Sequence, residues 1–379
     1  MRYFHIRPLS DSERHALKHG IGSLLGLTAA FVVPELPDSL HPVAAFGRWM
    51  QRLERSVYPS GSEQVAYDTE LVSPGTEPIT SGGEPITPST RSLKYLGAAY
   101  NLAGVLSSAA LGCLLDDFSP LGGTIISLEA AAAPKALYEI AGEIGDDLAN
   151  GNIDQARTRL RALVSRDTAS LQPDDVIRAV IESVAENTVD AITSPLLYAI
   201  AAGPAGVLAY RAVNTLDAMV GYRDNRYREF GWFSARLDDI ANWLPARITV
   251  IAVALARPTM SLEIIRHAYR HGASHPSPNA GRVEAAFAYA LGVKLGGMNS
   301  YNGDLTERPV VGGGSAPNEQ DIDRAVRLSR VVSVISAVLV VSGVAASFRL
   351  QGWLAGRERR GSGGLRGSRE PQASKMAGQ

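Results

Sequence analysis

The stretch IESVAENTVDAITSPLL, residues 181–197, carries Glu182, Glu186 and Asp190 at intervals of four among small apolar side chains, then enters a segment with no charge. On a helix these positions are i,i+4 neighbours, so three carboxylates share one slowly turning face with Asn187 beside it. Like charges so placed repel, and a divalent cation or a cationic substrate against the face relieves that cost. The competing reading is a solvated acidic stripe. Against it, Val184, Ala185, Val189, Ala191 and Ile192 leave little polar surface around the acids, and ionisable groups at membrane depth mark function.

Working outward, Ala191–Tyr210 is uncharged, as are Tyr95–Leu115 and Val331–Phe348. Each approaches the roughly 20 residues that cross a ~30 Å hydrocarbon core as helix. The near-zero mean hydropathy therefore averages polar segments with apolar ones. Shorter apolar runs at residues 20–34, 121–128 and 248–256 are too short to span alone. A soluble protein with buried helices is the alternative, but the runs favour a polytopic helical membrane protein. The first run follows Arg14, Lys18 and His19 and imitates a signal peptide. No small-residue cleavage site follows it, so it reads as a retained anchor or interfacial helix.

Residues 1–59 form an N-terminal apolar helix with a His-Pro-Val motif, and residues 60–92, rich in Ser, Thr, Gly, Pro and Glu, read as a polar insertion loop. A helical membrane core is expected over 93–348, with a basic disordered tail over 349–379. Arginines directly after the last apolar run place that end in the cytoplasm under the positive-inside tendency. Residues 135–190 alternate apolar and charged positions at helical spacing, with Leu148, Ile153, Ala156, Leu160 and Leu163 recurring. They read as amphipathic helices at the membrane face. Asn150-Gly151-Asn152 closes one helix, and Gln172-Pro173-Asp174-Asp175 opens the next. Alternation of strand type is almost absent, so the fold class is mainly α.

The chain carries 37 basic and 38 acidic residues, which gives no global field to attract nucleic acid. Its one cysteine, Cys113, excludes an internal disulfide and a cysteine metal cluster, and reads as a buried inert thiol. Residues 210–247 interleave Arg211, Asn214, Asp217, Arg223, Arg226, Asp238, Asp239, Asn242 and Arg247 with aromatic side chains. Arginines beside carboxylates can clamp phosphate while the acids hold metal. An interfacial loop with an aromatic belt is an equal reading. His267, His271 and His275 are four apart, but Gly272 and Pro276 prevent one helix from presenting all three to zinc. In the same region the stiff loop His275-Pro-Ser277-Pro-Asn279 can turn three polar side chains towards a ligand. His41-Pro42-Val43 repeats the theme after the first apolar run, where a structural turn is the simpler reading. No P-loop, dinucleotide fingerprint, HExxH or GxSxG is present.

As a set, HPV at 41–43, SRDT at 165–168, IESVAENTVDAITSPLLY at 181–198, YRAVNTLDAMVGYR at 210–223, FGWFSARLDDIANWLPAR at 230–247, HPSPNAG at 275–281 and the LGG opening at 295 resemble the CbiB/CobD family of cobalamin biosynthesis. The resemblance runs collinearly over roughly 20–345. Departures are the insertion at 60–92, the basic tail, Ala191-Ile192-Thr193-Ser194, and Arg211 where lysine is common. The resemblance implies a multi-pass protein of the cell membrane that acts as an adenosylcobinamide-phosphate synthase. Such an enzyme is a ligase that joins aminopropanol or its O-phosphate to adenosylcobyric acid, with ATP as cosubstrate and Mg²⁺ as cofactor. It implies contact with membrane lipid and with other enzymes of the pathway, but not with nucleic acid. On this reading the catalytic residues are Glu182, Glu186, Asp190, Asp217, Asp238 and Asp239, the first three also holding the metal. Substrate contacts are expected from His41, Arg166, Asp167, Asn187, Asn214, Arg223, Arg247, His275, Ser277 and Asn279. A corrinoid transporter, or a scaffold without chemistry, is the alternative.

Overall fold

Proline and small polar caps set most of the helix starts. The computed structural model describes residues 11–34, 37, 39, 41–58, 89–222, 224–301 and 304–363. Arg223, most of the insertion and the end of the tail therefore lie outside the described residues. Helix α1 covers Asp11–Val32; α2, Pro42–Val57, begins on Pro42 with His41 as its cap. Helices α3, Thr90–Phe118, and α4, Pro120–Ala131, meet at Ser119, whose hydroxyl accepts the Gly122 N–H at 3.1 Å and so starts α4. Next come α5, Pro134–Ala149, and α6, Ile153–Leu160. Helix α5 stops just before Asn150-Gly151-Asn152, and α7, Pro173–Thr188, opens on Pro173 with two acids in its first turn, as the turn signals indicate.

At the end of α7 the backbone widens into a π-helical turn over Val189–Thr193 before α8, Ser194–Val220, begins. Simple i,i+4 reasoning does not foresee this turn. Single-turn π segments insert one residue into the ladder and re-aim the side chains beyond them. Asp190 sits in it, so its direction departs from the face shared by Glu182 and Glu186. Helix α8 is itself broken at Ala202-Gly203, directly before Pro204, where a missing N–H and ring clash interrupt the ladder.

The chain continues through α9, Tyr227–Phe230, α10, Trp232–Ala241, α11, Trp243–Ala256, α12, Ser261–His271, and α13, Ala280–Leu291. Strands β1, Leu295–Tyr301, and β2, Asp304–Val311, then pair antiparallel as a hairpin with a bulge between Leu295 and Gly297. The sequence pattern gives no sign of this hairpin. Its entry needs glycine: Gly296 and Gly297 have φ of 88° and 98°, a region that side chains with a Cβ rarely adopt. The last helix, α14, runs over Glu319–Gly363. It continues into residues 349–363.

Three helical stretches are long and apolar enough to cross a membrane: α3, the continuous α7–α8 stretch, and α14 up to Ser347. A fourth counts if α10 and α11, bent by 44°, make one broken span. These coincide with the three long uncharged runs. The first apolar run, in α1, falls below that standard. Helix α8 lies inside the bundle, packed on α3 and α4, while α3 and α14 turn leucines and valines outward, among them Leu106, Leu114, Val334 and Val338. Cys113, expected to be buried, is exposed on α3, because that face of the helix has no neighbour among the described residues. The main core joins α5 and α7 to α11, α13 and α14; a smaller cluster of Met50, Tyr100, Leu216, Val220 and Phe230 lies under α2 and α3.

Candidate active site

Glu182 is enclosed by α7 and the hairpin. Its Oε2 accepts from Arg166 Nη2 at 2.5 Å and its Oε1 from the Gly296 N–H at 2.8 Å. Arg166 also donates to Asn299 Oδ1 at 2.7 Å. One turn earlier, Arg178 bonds the Gly296 and Met298 carbonyls and Asp175. The hairpin is therefore clipped to α7 by two arginines, and both Glu182 oxygens are engaged in holding it. Asn187 donates to the Ser183 carbonyl at 2.9 Å and hydroxyl at 3.1 Å, which orients it along its own helix. Asp167 is half-buried beside Arg166.

Glu186, one turn on, has no hydrogen bond or ion pair among the described residues and is half-buried. It is within electrostatic reach of Glu182, Arg166 and Arg308 on one side, and of Asp190, Asp217 and Asp238 on the other. It also bears on Glu284 of α13. Acids from α7, the π turn, α8, α10 and α13 thus lie within electrostatic reach of one side chain.

On the far side, Asp190 Oδ2 accepts from Asn214 at 3.1 Å, and Asn214 also approaches Asp238 at 3.5 Å. Asn242 donates to both Asp238 oxygens at 3.1 Å, while its own Oδ1 accepts from Ser194 at 2.6 Å and Tyr210 at 3.0 Å. Tyr210 stacks on Tyr198 and donates to the Asp190 carbonyl at 3.2 Å. This network ties the π turn to α8 and α10. Asp217 lies three residues beyond Asn214 on α8, facing Asp238 and Asp239. Arg211 donates to Asn214 Oδ1 at 3.3 Å.

The His275 loop closes the third side. Ser277 Oγ accepts the Asn279 and Ala280 N–H groups, starting α13. Asn279 donates to the Asp239 carbonyl at 2.8 Å and accepts from Arg247 at 2.6 Å, so loop, α10 and α11 are joined. His275 Nε2 lies 3.3 Å from Arg308 Nη1 and 3.8 Å from Glu284 Oε2. The Ser277 N–H donates to His275 Nδ1 at 3.1 Å, and the Ser277 carbonyl lies 3.2 Å from the same nitrogen. Burial, then the Arg308 charge, pushes the His275 imidazole down to about 4. Burial pushes the Glu284 carboxyl well above the usual carboxylate range, with Glu182 and Glu186 adding to it. Its Oε1 is buried and makes no hydrogen bond.

Of the residues singled out in the sequence, the structure gathers Glu182, Glu186, Asp190, Asn214, Asp217, Asp238, Asp239, Arg166, Arg247, His275, Ser277 and Asn279 into one region. His41 stands apart: its ring accepts the Val43 N–H at 3.3 Å and caps α2, the structural turn that a lone His-Pro suggests. Arg226 is taken up by Glu54 at 3.0 Å and by the rings of Tyr58 and Tyr227. His267 and His271 stack on each other, and His267 accepts from Gly312 N–H, so they do not converge with His275. Sequence reasoning misses Glu284 and Arg308. Glu284 sits in AGRVEAAFAYAL, which reads as a core helix, and an acid inside such a run is the available signal.

A family model described as CobD/Cbib protein matches residues 23–329. A Mycobacterium tuberculosis (strain CDC 1551 / Oshkosh) protein named cobalamin biosynthesis protein CobD is 40% identical over 324 residues, covering 85% of this chain and 94% of that one. Proteins of the same name from Citrobacter koseri and Halalkalibacterium halodurans are 38% and 43% identical over 265 and 206 residues. These alignments cover 67% and 53% of this chain, and 83% and 65% of the relatives. No solved structure matches.

Proposed function

The chain belongs to the CobD/CbiB protein family and acts in cobalamin biosynthesis, and from that premise we propose that it is the ligase joining aminopropanol, or its O-phosphate, to a propionate carboxylate of adenosylcobyric acid. A carboxylate does not acylate an amine at neutral pH without activation. In the proposed sequence a carboxylate oxygen attacks the terminal phosphorus of ATP, ADP leaves, and an acyl phosphate forms. The ammonium first loses one proton, the amine nitrogen then attacks the carbonyl carbon, the C–O bond to phosphate breaks, and the nitrogen loses a second proton, keeping one in the amide.

The single observation that carries this reading is that acids from five chain segments lie within electrostatic reach of Glu186, together with Arg166 and Arg308. Such a surface holds an ammonium and takes its proton, while cations beside it answer phosphate. We assign ammonium capture and proton removal to Glu186, Asp217 and Asp238, the last oriented by Asn242. Arg308 and Arg247 answer the phosphates, and His275, Ser277 and Asn279 face the amide-bearing edge of the corrin. Glu182, with both oxygens engaged, is a positioning residue that holds the hairpin.

The donor set fits a hard, oxygen-liganded cation such as Mg²⁺: the buried Glu284 Oε1 has no donor, and Glu186 forms no bridge. Glu186 and Glu284 would hold it together with phosphate oxygens and water, as one or two carboxylates do in Mg²⁺ sites, and when bound it neutralises phosphate charge. The arginines after residue 356 support a cytoplasmic C-terminus in the cell membrane. The test is the purified protein in detergent with adenosylcobyric acid, aminopropanol phosphate, Mg²⁺ and ATP, with the corrinoid followed by mass. The expected result is a gain of one amide-linked aminopropanol phosphate, absent without ATP. Bound but unchanged corrinoid would overturn the ligase reading in favour of transport.

A further inference from the structure

A second cluster lies far from the acids. His15 and His19 are four apart on α1, and both direct Nε2 at Asp116, near the end of α3: His15 to Oδ2 at 3.0 Å and His19 to Oδ1 at 2.7 Å. One ligand atom from each residue lies within 4.8 Å of the other two. Asn101, which ties α3 to α10 through Ser234, is 15 residues away, or about 22 Å along a helix rising 1.5 Å per residue. The cluster is thus at the other end of the span from the acids that α10 carries. Two of its members also precede residue 23, where the family match begins, so it is no part of the site that the match covers.

We propose that His15, His19 and Asp116 form a transition-metal site, of the class that takes Zn²⁺. Histidines at i,i+4 present two imidazoles to one point, and a carboxylate from a second helix completes a three-ligand set of borderline hardness. With metal–ligand distances of about 2.0–2.2 Å, tetrahedral ligands stand roughly 3.5 Å apart, so the observed spacing needs only side-chain adjustment. The His19 ring is held in place by the break in α8. Gly203 has φ of 57°, and a Cβ there would come within 2.5 Å of ring atoms. His19 is buried and His15 exposed, which gives solvent access for an ion and room for water as fourth ligand. A bound ion would tie the polar start of α1 to α3, beside the break in α8.

The experiment uses the full chain, purified without a polyhistidine tag, with Zn²⁺ and Co²⁺ alone as probes. The expected result is one ion per chain at micromolar affinity or better, a tetrahedral Co²⁺ absorption, and a thermal midpoint raised by Zn²⁺. His15→Ala, at an exposed position, should weaken binding at least tenfold and remove the Zn²⁺ shift without altering the metal-free midpoint. Asp116→Asn should do the same to binding. Absence of binding, or wild-type affinity in His15→Ala, would overturn the proposal and leave two histidine–aspartate hydrogen bonds.

Discussion

Arg166 and Glu182 are both buried, and each is the other's charge partner. Removing one partner of such a pair leaves an uncompensated charge, which costs about 3–5 kcal/mol. Arg166→Ala should therefore lower stability by that amount, read from denaturant unfolding in detergent; a loss under about 1 kcal/mol would show that the pair does not hold the hairpin. His275 and Glu284 carry opposite pH signatures. His275 is lowered from 6.5 to about 4, so its contribution is complete above 6.5 and is lost as pH falls through that window. By linkage the loss is on the order of 3 kcal/mol. His275→Gln should flatten the acid limb of a stability–pH curve, and parallel curves would contradict this. Glu284 is raised above 4.5: its contribution is present below 4.5 and declines as pH rises, because only the unfolded chain ionises freely. Glu284→Gln should accordingly be more stable than wild type at pH 8 and less active, the exchange expected of a residue kept for function. Equal stability with intact activity would remove it from the site. The shared face of Glu182 and Glu186 is legible from spacing, whereas the turn that re-aims Asp190 is not. Nor is Glu284, because its apolar neighbours give the same pattern as a core helix.

At the scale of elements, two local departures from regular structure shape the site. The π turn over Val189–Thr193 re-aims Asp190 towards Asn214. Deleting Ala191 should remove the extra residue, restore a plain helix and return Asp190 to the face of Glu182 and Glu186, away from Asn214. We expect more than a hundredfold loss of product with the protein still membrane-inserted; near-normal turnover would show that the turn is incidental. The hairpin depends on Gly296 and Gly297. A Cβ at Gly297 would meet the Arg178 guanidinium at 2.9 Å and its φ is 98°, so Gly297→Ala should cost roughly 1–3 kcal/mol, again read from unfolding. Helix starts at Pro42, Pro120, Pro134 and Pro173 stem from proline chemistry and can be read in advance. The π turn and the hairpin cannot: both are decided by contacts between distant segments, Tyr210 and Asn242 in one case and the arginines of α7 and its preceding loop in the other.

For the whole molecule, the uncharged runs mark out α3, α8 and α14 because span length is a property of composition, and the long collinear motifs mark the family. Composition says nothing of how the motifs assemble. The proposed chemistry depends on that assembly: loops and helix ends from residues 166 to 308 brought around Glu186 at one end of the bundle. The most direct test compares wild type with Glu186→Gln in one preparation, reading corrinoid binding and amide product together. The expected outcome is that Glu186→Gln folds, binds adenosylcobyric acid within a few-fold of wild type, and makes no product. Product at the wild-type rate from Glu186→Gln would contradict a catalytic role for the acids gathered there.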